Sequence, residues 1–159
     1  MAIWQYDFHL IPEQGVVAQV GHLPIAIQDA EQRLEIYWTS EYLTEDIATE
    51  IDRILPAGSS WRSGLQIWGS DDGSRIDISY RADRIESVFI RFDLRQPSLK
   101  LMMSIVDLAR LHEWLILTNE GYLLKPSIKS LLSRIRQSPS FRFVEDPEQF
   151  LRALSDEEP

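Results

Sequence analysis

The amino-acid sequence predicts an α+β fold, in which a mostly antiparallel sheet carries three to four helices packed mainly on one face. Apolar and polar residues alternate with period two in several separate stretches, a pattern typical of half-buried strands. Short polar turns separate three consecutive stretches of this kind, so these are predicted to pair antiparallel as a central meander. Elsewhere, apolar residues recur at helical spacing between residues that favour helix ends.

The N-terminal part of the chain predicts one clear strand followed by a less regular segment. Residues 4–10 alternate aromatic or apolar with polar side chains, and Pro12 ends the strand because proline cannot donate a sheet hydrogen bond. The same alternation places His9 on the polar, solvent-facing side of the strand. Residues 13–42 contain glycines and a proline, and they predict one or two short strands within irregular loop.

A first helix is predicted to begin after Thr44, whose side chain is a good N-terminal cap. Glu45 and Asp46 occupy the first turn, where the helix dipole favours acidic side chains. Apolar residues within 47–55 fall on one helical face, and Pro56 ends the helix. This spacing indicates a short amphipathic helix with an acidic start.

The three strands of the meander are predicted over residues 65–67, 76–80 and 88–94, where apolar residues alternate with polar ones. Turn-forming sequences at 70–73 and 81–84 separate them. Both turns are too short to contain a crossover helix, so each strand pairs antiparallel with the next.

The C-terminal part predicts alternating helices and strands by the same criteria. A largely apolar core helix covers 99–111, a strand covers 114–118, and 122–124 forms its hairpin return. A third helix begins at Pro126, and Asp146 caps the last one.

Composition indicates a single, cytoplasmic domain over residues 1–154 with an acidic tail at 155–159. The chain has no cysteine, no basic leader and no long uncharged apolar run, which fits a reducing compartment and disfavours a membrane span. Its net charge of −9 disfavours nucleic acids and anionic membranes as partners. Residues 1–60 carry ten acids and two bases, a net charge of −8. These acids either form a solvated surface that keeps the protein soluble or meet a basic partner.

Sequence motifs for catalysis, phosphate binding or metal binding are absent. The three histidines are far apart in the sequence, and His112 is interpreted as a polar residue at a helix end. Asp71 and Asp72 stand in a turn that lacks the further oxygen ligands of a calcium loop. No metal, cofactor or catalytic residue is therefore predicted.

The tryptophans are the most suggestive residues. Five tryptophans occur in this small chain, and three stand beside polar residues. These three either cover the edges of the core or lie exposed as anchors of an interface. Period two places Trp68 on the sheet face opposite Ile67. If a protein partner binds here, we expect the three tryptophans to share one exposed patch rimmed by carboxylates. The predicted partner-binding residues are Trp38, Glu41, Glu45, Asp46, Trp61, Trp68 and Asp71.

A pattern of strand, turn and cap residues extends over about residues 85–154. It consists of Arg91-Phe92-Asp93-Leu94-Arg95, the helix after Pro97, Gly121 with Pro126, Ser138-Pro139, Phe143-Val144, Asp146-Pro147 and Phe150-Leu151. In this pattern the chain resembles small bacterial α+β proteins without assigned activity, which are loosely similar to immunity-type proteins that neutralise toxins. The resemblance implies a fold and a binding role, but no functional residue.

Three function classes remain open from the sequence. The first is a non-enzymatic protein-binding module, such as an immunity-type inhibitor, whose acidic surface docks a basic protein. The second is an accessory protein that self-associates, for example as a homodimer through an edge strand. The third is an enzyme or small-ligand binder whose site the fold assembles from His112, Arg91, Asp93 and Asp107.

Overall fold

The computed structural model describes residues 2–39, 41 and 44–156. Its strands are β1 (Gln5–Pro12), β2 (Leu65–Gly69), β3 (Arg75–Arg81), β4 (Arg84–Asp93), β5 (Trp114–Thr118) and β6 (Leu123–Leu124). Its α-helices are α1 (Glu13–Val20), α2 (Glu45–Asp52), α3 (Leu99–Leu111), α4 (Ile128–Gln137), α5 (Pro139–Glu145) and α6 (Pro147–Asp156). A 3-10 helix spans Ala30–Tyr37.

All six strands form one antiparallel sheet in the order β2-β3-β4-β1-β5-β6. The predicted α+β class and the predicted meander β2-β3-β4 are confirmed. Because β1 pairs with both β4 and β5, the N-terminal strand lies inside the sheet and joins the meander to the β5-β6 hairpin. None of the described helices is long and apolar enough to cross a membrane.

The sheet has two faces of unequal coverage. The face that carries Phe8, Ile90 and Ile116 packs against α2, α3 and α4 and holds the larger hydrophobic cluster; we call it the large-core face. The opposite face carries Ile11 and Leu117 and packs against α1 and the 3-10 helix in a smaller cluster; we call it the small-core face. This distribution agrees with helices packed mainly on one side.

Among the described residues of 13–42, the predicted short strands are wrong, whereas irregular loop is found over residues 21–29. Pro12 is the N-cap of α1, and Gly21 ends α1 with a φ of 90°, a left-handed backbone conformation that favours glycine. The 3-10 helix then crosses the small-core face. In the loop before it, Ala26 forms an isolated β-bridge with Tyr122, which is not long enough to count as a strand. Short helices were missed because their apolar residues cover only a small cluster and show weak periodicity.

The described helices also exceed the predicted three to four. Ser138 and Pro139 end α4 as predicted, but they also begin α5. The Ser138 side chain accepts a hydrogen bond from Phe141 N at 3.2 Å, and proline stands in the first turn. The predicted caps Thr44 and Asp146 are confirmed, since each accepts a hydrogen bond from the backbone N–H three residues later.

Gly15 allows α1 to approach the 3-10 helix closely. A Cβ atom at this position would lie 1.9 Å from the backbone oxygen of Tyr37, which cannot move aside like a side chain. We therefore expect Gly15→Ala to lower the free energy of unfolding by about 2 kcal/mol through overpacking, measured by urea unfolding. Gly58→Ala is the control, since its nearest contact is 3.3 Å. Equal stabilities of the two variants would contradict this account.

Candidate functional site

Two of the three tryptophans predicted to bind a partner are fully buried. Trp38 and Trp68 are each 0% exposed, so the expected patch of three exposed tryptophans does not form. Trp38 packs edge-on against Trp114 with 5.2 Å between ring centroids. Trp68 projects from the face opposite Ile67, as its position predicts, but that face is covered by helices. Its Nε1 donates to Asp52 Oδ1 of α2 at 2.8 Å.

Trp61 is 74% exposed and lies in the loop between α2 and β2. The loop is tied to the sheet, because Arg62 Nη2 donates to Ser79 Oγ at 3.0 Å and Tyr80 N donates to Gly64 O at 2.9 Å. The Arg62 guanidinium also lies 5.5 Å from the centroid of the Trp61 ring. Before Trp61, Gly58 N donates to Ile67 O at 2.8 Å. Trp61 is therefore presented to solvent by a loop that is anchored on both sides.

The predicted acidic residues divide between the two ends of β2. The Glu41 carbonyl accepts a hydrogen bond from Ile85 N at the β3-β4 hairpin end, and Glu45 and Asp46 are exposed in the first turn of α2. Asp71 belongs to the opposite end, in the β2-β3 turn, where it pairs with Arg75 at 3.3 Å. The structure thus groups Trp61 with the start of α2 and separates Asp71 from them.

A shallow groove adjoins the Trp61 loop at the hairpin end. Two depressions of about 480 and 570 Å³ share the side chains of Glu35, Arg81 and Glu86. Arg62 lines the first depression, beside the Trp61 ring that it contacts. Arg81 pairs with Glu86 at 3.2 Å, so charges of both signs line the groove. Glu45 and Asp46 at the start of α2 are not among the residues that line these two depressions.

A second polar cluster lies on the small-core face, where neighbouring strands place charged side chains in register. Asp7 is opposite Arg91, and Arg91 is opposite Arg75. Arg91 Nε donates to Asp7 Oδ1 at 3.2 Å, and Asp7 is 5% exposed. Arg75 Nε lies 3.0 Å from Asp77 Oδ1, but without the alignment of a hydrogen bond. Two acids and two bases thus stand together, and each arginine lies beside one carboxylate.

His9 borders this cluster and is half-buried, so the predicted solvent-facing position is wrong. Phe89 stands opposite it on β4 with 5.4 Å between ring centroids. Its Nδ1 is buried and, among the described residues, has no hydrogen-bond partner. Burial lowers the pKa of His9 from 6.5 to about 4. For Asp77, burial raises the pKa above its usual value, while Arg75 and Arg91 oppose the rise.

The lowered pKa of His9 predicts a loss of stability in acid. The unfolded chain binds a proton at His9 near pH 6.5, while the folded chain does not. The contribution of neutral His9 to the free energy of unfolding is therefore complete above pH 6.5 and falls as the pH decreases towards 4. The shift corresponds to roughly 3 kcal/mol. We expect His9→Gln to unfold in urea with a weaker pH dependence than wild type between pH 7 and 4. An unchanged pH dependence would contradict the burial of neutral His9. Asp77 acts in the opposite direction, because its raised pKa favours the folded state in acid.

The other candidates named from the sequence do not form one site. His112 caps the end of α3, as predicted, and its Nε2 contacts Glu50 Oε2 of α2 at 2.5 Å while its ring stacks on Trp114. Asp93 is held by two hydrogen bonds from the Arg95 guanidinium, which lower its pKa. Asp107 is exposed on α3, as expected for a solvent-facing position. The partner Glu50 was missed because sequence spacing carries no signal of a contact 62 residues away.

Within residues 2–39, 41 and 44–156, no three His, Asp or Glu side chains come together as a metal site requires. Comparisons with known proteins found no matching family model, no matching curated protein and no matching solved structure. The structural features that bear on function are the Trp61 loop, the groove beside this loop and the acidic start of α2.

Proposed function

We propose that the protein is a non-enzymatic binding module that docks a basic protein partner in the manner of an immunity-type inhibitor. The observation that carries this proposal is the 74% exposure of Trp61 in an anchored loop. An exposed indole loses the hydrophobic stabilisation of burial, whereas at an interface it supplies a large contact area with little loss of conformational freedom. Trp61 is the anchor that a partner would cover.

Charge gives the expected chemistry of the partner. The carbonyl oxygens of Gly64 and Glu41 accept hydrogen bonds from Tyr80 N and Ile85 N, which belong to register partners in the β3-β4 hairpin. Trp61 is three residues from Gly64, and Glu45 is four residues from Glu41. The exposed aromatic ring and the acidic start of α2 therefore belong to the same end of the molecule. With a net charge of −9, the chain would attract a basic protein over long range.

Binding is tested first by affinity capture from the native host, with the wild type and two variants. We expect a basic protein that is retained by wild type at low salt, released at high salt, and lost in Trp61→Ala. Leu99→Ala is the matched control, since Leu99 is 55% exposed on α3 and does not belong to this surface. Capture that survives in Trp61→Ala would overturn the role of Trp61.

Titration calorimetry with the purified partner then measures the effect of each side chain. Loss of an aromatic anchor costs about 2 kcal/mol or more, so Trp61→Ala should weaken binding about 30-fold. In stopped-flow mixing, exchange of Glu45 and Asp46 for lysine should mainly slow association and reduce its salt dependence. A partner whose affinity is unaffected by all three changes binds elsewhere, and the proposed surface would then be wrong.

A further inference from the structure

The sheet has an open edge at residues 25–27, which run beside β6. Leu123 N donates to Ile25 O, and Ile27 N donates to Gly121 O, each at 2.8 Å. These bonds make Ala26 and Tyr122 a non-hydrogen-bonded antiparallel pair, in which the N–H and C=O of Ala26 point away from β6. Ala26 is exposed, and its two backbone groups have no partner among the described residues.

An apolar row on the small-core face runs out to this edge. Leu117 of β5 is buried and stands opposite Leu123 of β6, and Leu123 in turn bonds to Ile25. Ile25 ends the row and is 82% exposed. The chain that leads into the edge adds three further exposed apolar side chains: Val17, Val20 and Leu23. The edge thus combines unpaired backbone groups with an apolar surface.

Charge distinguishes this edge from the rest of the molecule. Residues 23–28 contain no charged side chain, although 26% of the chain is charged. Exposed strand edges usually carry charges that prevent pairing with another chain. Two copies with a net charge of −9 each repel over most orientations, but this segment can face itself without opposing like charges.

We propose that two copies of this chain pair antiparallel through residues 23–27, about a two-fold axis at Ile25. In this register Ala26 N–H of each copy donates to the Pro24 carbonyl of the other, and Ile25 lies opposite its own counterpart. Leu23 then faces Ile27, and His22 faces Gln28, so no like charges oppose each other along the seam. Because Pro24 has no N–H, the pairing ends after two backbone hydrogen bonds and closes as a dimer.

A seam of this length predicts weak association, with a Kd on the order of 10–100 μM, as for small interfaces. The dimer is independent of the proposed function, since Trp61 lies beside β2, at the opposite edge of the sheet. Both surfaces can therefore be occupied together, and either proposal can fail without the other.

Sedimentation velocity of the full-length chain over a range of concentrations tests the dimer. We expect wild type to dimerise and Ile25→Lys to weaken dimerisation at least tenfold, because two lysines would then oppose each other on the axis. Leu99→Lys introduces the same charge at an exposed apolar residue of α3 and should dimerise like wild type. A wild type that stays monomeric at the highest concentration, or equal weakening by both variants, would overturn the proposal.

Hydrogen exchange of the Ala26 amide provides a local readout. This N–H is unbonded within one copy, so it should exchange rapidly in the monomer and slowly at concentrations where the dimer forms. Ile25→Lys should restore rapid exchange. A dimer in which the Ala26 amide still exchanges rapidly would use another surface, and the edge pairing would be rejected.

Discussion

Replacement of Arg91 by methionine is expected to lower the free energy of unfolding by about 3 kcal/mol, although Arg91 lies outside the larger core. Its guanidinium is the hydrogen-bond donor to Asp7, whose carboxylate is almost excluded from solvent. Without Arg91 this carboxylate loses its cationic partner in a poorly hydrated position. Urea unfolding at neutral pH measures the difference as a shift of the midpoint.

Two controls separate the buried pair from an ordinary surface ion pair. The double variant Asp7→Leu with Arg91→Met removes both charges, and we expect its stability to return within about 1 kcal/mol of wild type. Arg81→Met breaks the contact with Glu86, but the Arg81 side chain is 85% exposed, so the loss should stay below about 1 kcal/mol. Equal losses for Arg91→Met and Arg81→Met would show that the Asp7 carboxylate is not effectively buried.

The α+β fold class and the meander β2-β3-β4 could be predicted because local sequence patterns indicate them directly. The alternation in β1, β3 and β4 arises because every second side chain packs into the larger hydrophobic cluster. The caps Thr44 and Asp146 act within one turn of their own helix. Residues 13–42 lacked such a signal. The position of Gly15 depends on contact with Tyr37, which is distant in sequence and shows no periodicity.

The candidate site was predicted only in part because exposure is a tertiary property. Trp38, Trp61 and Trp68 all stand beside polar residues in sequence, yet only Trp61 is exposed among these three. The α2 helix buries Trp68 and supplies Asp52 to its indole nitrogen, a contact between elements that no local pattern shows. The charges of Asp7, Arg75, Asp77 and Arg91 likewise become one cluster only through strand register.

Replacement of Trp68 by alanine is expected to be among the most destabilising substitutions, with a loss of about 3–5 kcal/mol in the free energy of unfolding. The indole is fully buried on the large-core face, so its removal leaves a cavity between the sheet and α2. The hydrogen bond from Nε1 to Asp52 is also lost. Chemical unfolding followed by far-ultraviolet circular dichroism measures this loss.

A graded series distinguishes the structural role of Trp68 from the binding role of Trp61. Trp68→Phe retains most of the buried apolar area but loses the bond to Asp52, so it should cost about 1–2 kcal/mol. Trp61→Ala should change stability by less than about 0.5 kcal/mol, since most of the ring is already in water. A Trp68→Ala protein as stable as Trp61→Ala would contradict the burial of Trp68. A Trp61→Ala protein as stable as wild type would assign any loss of partner binding to the missing indole itself.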